Sequence, residues 1–308
     1  MAKNTVKCTV VTGFFTLFSC VGLFLIAHTI ADHMIYADVE EQVQHTLQDI
    51  QHDVDNFNET NFTLIHMMAS LPYIKDPTVS LKDKDDQLYY IRNGNPTIIG
   101  LNITDLQGNS WTDHSLHNFS ERQYFKNALQ GKETIFGPIV NKVSNVATIF
   151  YGAPHYDAEG NLINTFFLAS HGDNLTKICE QHKEIQGRLY PAIVRRSTGL
   201  VIATADPNDE LQSNIFDDTA DIGLKELSDM TQQIADGKTG VLKIVMPDGT
   251  VSINGFAPIA DTDWSVILKA DYSDFTASLL TLRLAFLVFT AIALALSITV
   301  SLIVTRKM

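Results

Sequence analysis

Two stretches of the chain contain no charged side chain. Residues 9–30 read TVVTGFFTLFSCVGLFLIAHTI and residues 284–305 read LAFLVFTAIALALSITVSLIVT, without Asp, Glu, Lys or Arg. About 20 apolar residues in a helix cross a bilayer core. Lipid offers no partner for unpaired amides, so both stretches are predicted to be membrane-spanning helices. A signal peptide has an apolar region of roughly 7–15 residues followed by a small-x-small cleavage site. The first stretch is longer and no such site follows Ile30, so an uncleaved anchor is expected. Lys3 and Lys7 precede the first span, and Arg306 and Lys307 follow the second. Positive flanks predict that both termini are cytoplasmic and residues 31–278 extracytoplasmic, in a plasma (inner) membrane. Arg283 falls at the outer edge of the second span, where its stem can snorkel.

Beyond the first span, Val43, Leu47, Ile50, Val54, Phe57, Leu64, Met68 and Leu71 form a 3-4 ladder, with Asn61 as its one polar rung. This spacing predicts a long amphipathic stalk helix continuing from the membrane. Its seam has two readings: packing on the chain's own domain, or a homodimer seam with Asn61 fixing the register. After Pro72 the pattern changes to short strands and turns. Strands are expected at 97–104, 133–140, 145–154 and 162–170. Ser120 and Gln123 form a capping box for a helix over 120–129, and Asp173 caps another to Glu184. A second series follows, with strands at 191–196, 200–204, 241–246, 250–259 and 264–270 and a helix over 223–236. Tyr151-Gly-Ala-Pro-His-Tyr-Asp157 aligns with Asn254-Gly-Phe-Ala-Pro-Ile-Ala260 at matching places in the two series. The predicted fold is α+β: two PAS-like antiparallel-sheet units and a long N-terminal helix, flanked by two transmembrane helices. The expected divisions are a tail at 1–8, a span at 9–30 and the stalk at 31–72. They continue with a membrane-distal unit at 73–186, a proximal unit at 187–275, a span at 276–305 and a tail at 306–308.

Charge narrows the partners. Residues 31–278 hold all 35 acidic residues against 17 basic ones, a net of −18. That field disfavours nucleic acid and anionic lipid surfaces. Cys8 and Cys20 belong to the first span region, leaving Cys179 alone outside, so the outer domain needs a packed core rather than a disulfide. Asn-x-Ser/Thr triplets begin at Asn58, Asn61, Asn102, Asn118 and Asn174 and matter only in a glycosylating secretory pathway. Asp113, His114 and His117, with His171 and Asp173, lack a metal-ligand spacing, and no metal or cofactor is expected. No nucleophile elbow, phosphate loop or kinase signature occurs, so an enzyme is not expected. Trp111 and Trp264 each sit on a strand, where packing accounts for them.

The order of elements resembles the double Cache (dCache) family of bacterial extracytoplasmic sensors. The resemblance rests on Ile103-Thr-Asp-Leu-Gln-Gly-Asn109, on Ser120-Glu-Arg-Gln-Tyr-Phe125 with Ala128, on Ala153-Pro-His-Tyr-Asp157-Ala-Glu-Gly160, and on the long helix. It implies that the distal unit binds a small ligand between sheet and helices, with Arg122 facing a carboxylate and Tyr124 and Phe125 lining the pocket. An Arg fork pairs bidentately with carboxylate beside a rigid aromatic wall. Trp111, Tyr151, Ser170 and Asp173 complete the candidate ligand-binding set. The family's amino-acid-binding pattern is Arg-x-Trp-Tyr, a later Pro-Tyr, and an Asp closing the last distal strand. Here the matching places read Arg-Gln-Tyr-Phe, Gly137-Pro-Ile139 and Ser170-His-Gly-Asp173, which leaves an α-ammonium without counter-charges.

The resemblance implies a sensor for a small polar metabolite, in a chemotaxis receptor or related signalling protein. Only Arg306-Lys-Met308 follows the second span. The expected output is therefore a separate cytoplasmic or membrane partner. The alternative is a chemoreceptor, histidine kinase or diguanylate cyclase that has lost its effector. A rival reading is a structural or assembly protein docking another extracytoplasmic protein, which an exposed apolar patch without a polar-lined pocket would favour.

Overall fold

A computed structural model describes residues 2–112, 114–140, 147–186, 188–205 and 213–307. Of the sequence-based expectations, Asp113 and the first two residues of the strand at 145–154 lie outside these. The first element, α1 (Ala2–Ala69), is one unbroken helix carrying the first apolar run and the ladder as far as Met68. The last, α8 (Tyr272–Lys307), carries the second apolar run. Both are long and apolar enough to cross a membrane.

The chain divides into two compact units. One comprises the apolar helices through Val43 and from Ala270, with Val245–Ile253. Its helices expose Phe14, Phe18, Leu287 and Leu296, as lipid-facing surfaces do. Between them, Thr16 Oγ1 lies 3.0 Å from Ser297 Oγ and the Phe24 and Phe286 rings are 5.2 Å apart. At the head of α8, the Tyr272 hydroxyl donates to the Asp32 carboxylate at 2.8 Å, and burial with this negative neighbour raises the phenol pKa.

The other unit comprises Gln44–Ile244 with Asn254–Lys269. Its first sheet has the antiparallel order β1-β6-β5-β4, formed by β1 (Ile98–Thr104), β4 (Thr134–Val140), β5 (Ala147–Tyr156) and β6 (Leu162–His171). A separate hairpin, β2 (Asn109–Thr112) with β3 (Ser115–Asn118), precedes β4. The second sheet has the order β8-β7-β11-β10-β9. Its strands are β7 (Leu189–Arg195), β8 (Val201–Thr204), β9 (Gly240–Val245), β10 (Val251–Pro258) and β11 (Trp264–Asp271). In each sheet the opening strand lies beside the closing one and the strand before that comes next. The aligned segments at 151–157 and 254–260 thus fall on β5 and β10, which hold the same topological place. The internal repeat read from the sequence is a repeat of fold.

Period-2 alternation divides the first sheet into two faces. Ile149, Tyr151 and Ala153 are fully buried and share a face with Leu168 and Phe166 through the β5–β6 register. That face receives α1: the Tyr151 hydroxyl donates to Asn58 Oδ1 at 2.8 Å, and the Phe62 ring stands 5.4 Å from the Tyr151 ring. Leu47, Ile50 and Val54 of the ladder are buried within the chain itself, which favours packing over a dimer seam for these rungs. Asn61 Nδ2 donates to the Phe57 carbonyl within α1. Asn58, Asn61 and Asn102 are all buried, so their triplets serve the interior rather than glycosylation.

Two local expectations fail. Beyond α2 (Pro72–Lys75), the segment read as strands contains the helix α3 (Leu81–Gly94), capped by Ser80, whose hydroxyl accepts from Asp83 N at 3.1 Å. The capping box at Ser120 does not form. Its hydroxyl bonds Asn118, and α4 (Gln123–Leu129) begins after Arg122. The helix α6 (Ile215–Ile222) has no counterpart among the sequence-based expectations, and the helix expected over 223–236 forms as α7 (Lys225–Ala235). Gly223 is the left-handed C-cap of α6. Asp173 opens α5 (Asp173–Gln186) from its first turn, paired with Lys177 at 3.1 Å.

Candidate functional site

The other face of the first sheet carries Phe150 and Gly152 on β5, with Ala169 and Phe167 opposite them on β6. The β1–β6 register adds Gly100 beside Ala169 and Asn102 beside Phe167. Phe136, paired with Phe150, extends the face onto β4. The helix α4 packs here because Gly152 permits it: a Cβ at that position would stand 2.9 Å from both Cβ and the carbonyl oxygen of Tyr124. Tyr124 therefore stacks on Phe150, centroids 5.4 Å apart and nearly parallel, and lies 5.3 Å from Phe167. Phe119 tilts against Phe167 at 4.7 Å.

Between this face, α3 and α4 lies a cavity of about 790 Å³. Its walls are mainly aromatic, with Ile99 and Ile139, and its polar lining includes Thr112 of β2, Glu121 and Gln123 beside three residues of more consequence. Arg122 reaches it from the residue that precedes α4, Arg92 from α3 and Asn102 from β1. A pocket of this size with apolar walls and a few converging polar groups is the ordinary form of a small-molecule site.

The polar groups differ in how far the protein satisfies them. Arg92 is largely buried, 3.5 Å from the Asp85 carboxylate and with its guanidinium 5.3 Å from the Tyr89 ring centroid. Glu121 is 91% exposed and turned to Lys126 at 2.9 Å. Arg122 is exposed, and among the described residues no carboxylate pairs with it. Asn102 is 6% exposed, yet its Oδ1 has no hydrogen-bond partner. An orphaned buried acceptor costs about 1–3 kcal/mol, a cost that a ligand donor removes. Burial pushes the Tyr124 phenol up to about 12, against the opposing Arg122 charge, so its hydroxyl stays protonated.

The structure brings two of the sequence-based candidates, Arg122 and Tyr124, to this cavity. Phe125 lies in the aromatic cluster beneath them, with Tyr124 and Phe167. Trp111 sits on β2 one residue before Thr112, and it is Thr112 that reaches the cavity. Tyr151 and Ser170 belong to the α1 face, with Ser170 Oγ donating to the Thr97 carbonyl at 2.9 Å. Asp173 pairs with Lys177 outside the cavity. Sequence reasoning missed Arg92, because α3 itself was missed. It also missed Asn102, which stood out only as a glycosylation triplet.

The Cache domain family profile matches residues 31–279. No curated protein matches the sequence. Solved structures share the fold at low identity. The sensory domain of the Campylobacter jejuni chemoreceptor Tlp3 superposes with TM-score 0.60 at 12% identity, covering 80% of this chain and 98% of its own. The ligand-binding domain of the Pseudomonas aeruginosa PAO1 amino acid chemoreceptor PctC, solved with GABA, gives 0.57 at 15%, covering 76% and 100%. The extracellular domain assigned to a histidine kinase, mmHK1S-Z3, gives 0.57 at 16%, covering 81% and 99%. From the α+β architecture, the repeated sheet order, the flanking apolar helices and this match, the chain belongs to the double Cache family of extracytoplasmic sensor domains.

Proposed function

We propose that this protein is a membrane-anchored receptor whose distal cavity binds a small polar metabolite and passes a conformational signal across the membrane to a partner. The observation that carries this reading is the unpartnered Asn102 Oδ1, buried in an aromatic cavity that Arg122 also lines. A merely structural cavity gains nothing from a buried orphan acceptor, whereas a ligand donor satisfies it. The polar-lined cavity argues against a purely structural or assembly role. The termini are cytoplasmic on this reading, set by the flanking lysines and arginine.

A route for the signal is built into one cavity strand. Phe136 and Ile139 of β4 line the cavity. Between them, the Gly137 carbonyl accepts from Trp264 Nε1 at 2.9 Å and the Pro138 carbonyl accepts from Arg195 Nη2 at 2.9 Å. Trp264 opens β11, which runs into α8. Displacement of β4 by a ligand is thereby handed to the second sheet and to the strand that leads into the second span. A homodimer through the stalk would use the α1 face opposite the buried ladder, where Met67 is exposed.

The test is a thermal-shift screen of organic acids, amines and purines on the full chain in nanodiscs, repeated with Arg122→Ala. A metabolite that raises the melting temperature of the wild type but not of the variant supports the reading. A shift that survives in Arg122→Ala removes Arg122 from the site, and the absence of any shift contradicts the receptor assignment.

A further inference from the structure

Taking the cavity as the ligand site, we infer that it selects a monoanionic carboxylate with a flat apolar body and a neutral hydrogen-bond donor, and that it rejects ammonium groups. The net charge follows from which cations already have partners. Arg92 has Asp85, and Lys126 holds Glu121 at the rim. Among the described residues that leaves Arg122 as the one lining cation without a carboxylate, a demand for a single negative charge. A second carboxylate on the ligand would enter an aromatic cavity with no cation left to meet it, and a buried unpaired charge is strongly disfavoured.

The same inventory argues against an ammonium. Glu121 is the one carboxylate among the described lining residues, and it is turned to solvent and paired with Lys126, while Asp85 pairs with the lining Arg92. An amine in the cavity would meet Arg122 and no free acid. The apolar body is set by shape. Tyr124 and Phe150 form one nearly parallel stack, and Phe119 with Phe167 forms a second wall. Gly100 and Ala169 are opposed on neighbouring strands and have almost no side chain, leaving a low floor beside Asn102. An ideal Cβ at Gly100 would lie 3.3 Å from Asn102 Nδ2 and 3.7 Å from the Ala169 Cβ. A planar ring fits such a slot better than a branched chain. Asn102 Oδ1 asks for one neutral donor, such as a hydroxyl, on that ring.

The experiment is calorimetric titration of the full chain in nanodiscs with 4-hydroxybenzoate, benzoate, phenylalanine, benzylamine and phthalate. The expected order is 4-hydroxybenzoate above benzoate by about tenfold or more, the worth of one satisfied buried acceptor. Phenylalanine, benzylamine and phthalate are expected to be undetectable. Arg122→Gln weakens both benzoates by at least about tenfold. Asn102→Leu melts no lower than wild type, because it removes an orphan, yet it abolishes the preference for the hydroxyl. Equal binding of phenylalanine or benzylamine, or tighter binding of phthalate, overturns the inference while leaving the cavity as the ligand site. So does any other metabolite whose binding is lost in Arg122→Gln while the benzoates fail. If no compound in either set and none in the wider screen binds, the inference and the receptor reading fall together.

Discussion

Gly152→Ala is the sharpest test of how the site is built. The added Cβ would stand 2.9 Å from the Tyr124 Cβ and 2.9 Å from its carbonyl oxygen, with the carbonyl carbon at 3.3 Å. Comfortable carbon contacts begin near 3.5 Å. Part of the obstacle is backbone, so no rotamer change relieves it, and α4 must retreat from the sheet by roughly half an ångström or more. Tyr124, Phe125 and Ala128 are the buried face of that helix and lose contact together. Overpacking of this kind costs about 1–3 kcal/mol. At roughly 2–4 °C per kcal/mol for a domain of this size, the melting temperature should fall by about 2–12 °C. The same retreat moves Arg122, which immediately precedes the helix, so ligand affinity should fall as well. Gly94→Ala is the control: nothing lies within 4 Å of its Cβ, at the end of α3, and it should melt at or slightly above wild type. The assay is a pair of thermal melts and one titration per variant in nanodiscs. If Gly152→Ala melts and binds as wild type does, then α4 is not held against β5 as described.

Three further outcomes are expected. Tyr151→Phe deletes the bond to Asn58 on the α1 face and should cost about 1–3 kcal/mol in denaturation while leaving ligand affinity unchanged, whereas a loss of affinity would put Tyr151 in the site. His155 is buried against Phe166, with Lys75 and Lys84 the charges facing it, and burial first, then those lysines, lower its pKa. Its neutral form supports the fold above the ordinary value of about 6.5, and that support is lost as pH falls below it. The melting temperature should therefore drop from about pH 7 to about pH 5, with a shallower slope in His155→Phe. An unchanged slope would clear His155. Trp264→Phe removes the donor to the Gly137 carbonyl and should leave ligand affinity intact while abolishing any ligand-induced change in amide exchange across β11; persistence of that change would place the signal route elsewhere.

Much of the fold is legible in the sequence, and the reasons are local. Charge-free runs, a 3-4 ladder and period-2 strands bounded by glycine turns are signals that tertiary context rarely overrides. They found α1 and α8 and located the strands of both sheets to within about two residues. The order of those strands disclosed the repeat that the sheet topology bears out. The helix α3 was hidden because its buried residues include Lys84 and Asp85 alongside Leu88, so its inward face does not look apolar. Its Ser80-x-x-Asp83 cap was nevertheless in plain view. Losing α3 lost Arg92. The parity rule separates Tyr151 from the cavity face, because Phe150 and Gly152 alternate with it on β5. Asn102 carried no sequence signal for its role: only the register that sets it beside Phe167, and the missing partner for its Oδ1, make it a candidate.

A receptor of this kind is defined by where its ligand binds. Hydrogen–deuterium exchange of the full chain in nanodiscs, with and without the compound that raises its melting temperature most, reads this directly. The strongest protection is expected at the end of α3, in β1 and from Phe119 through α4. Protection confined to β7 and β8, or none at saturating ligand, would contradict a receptor whose ligand enters the distal cavity.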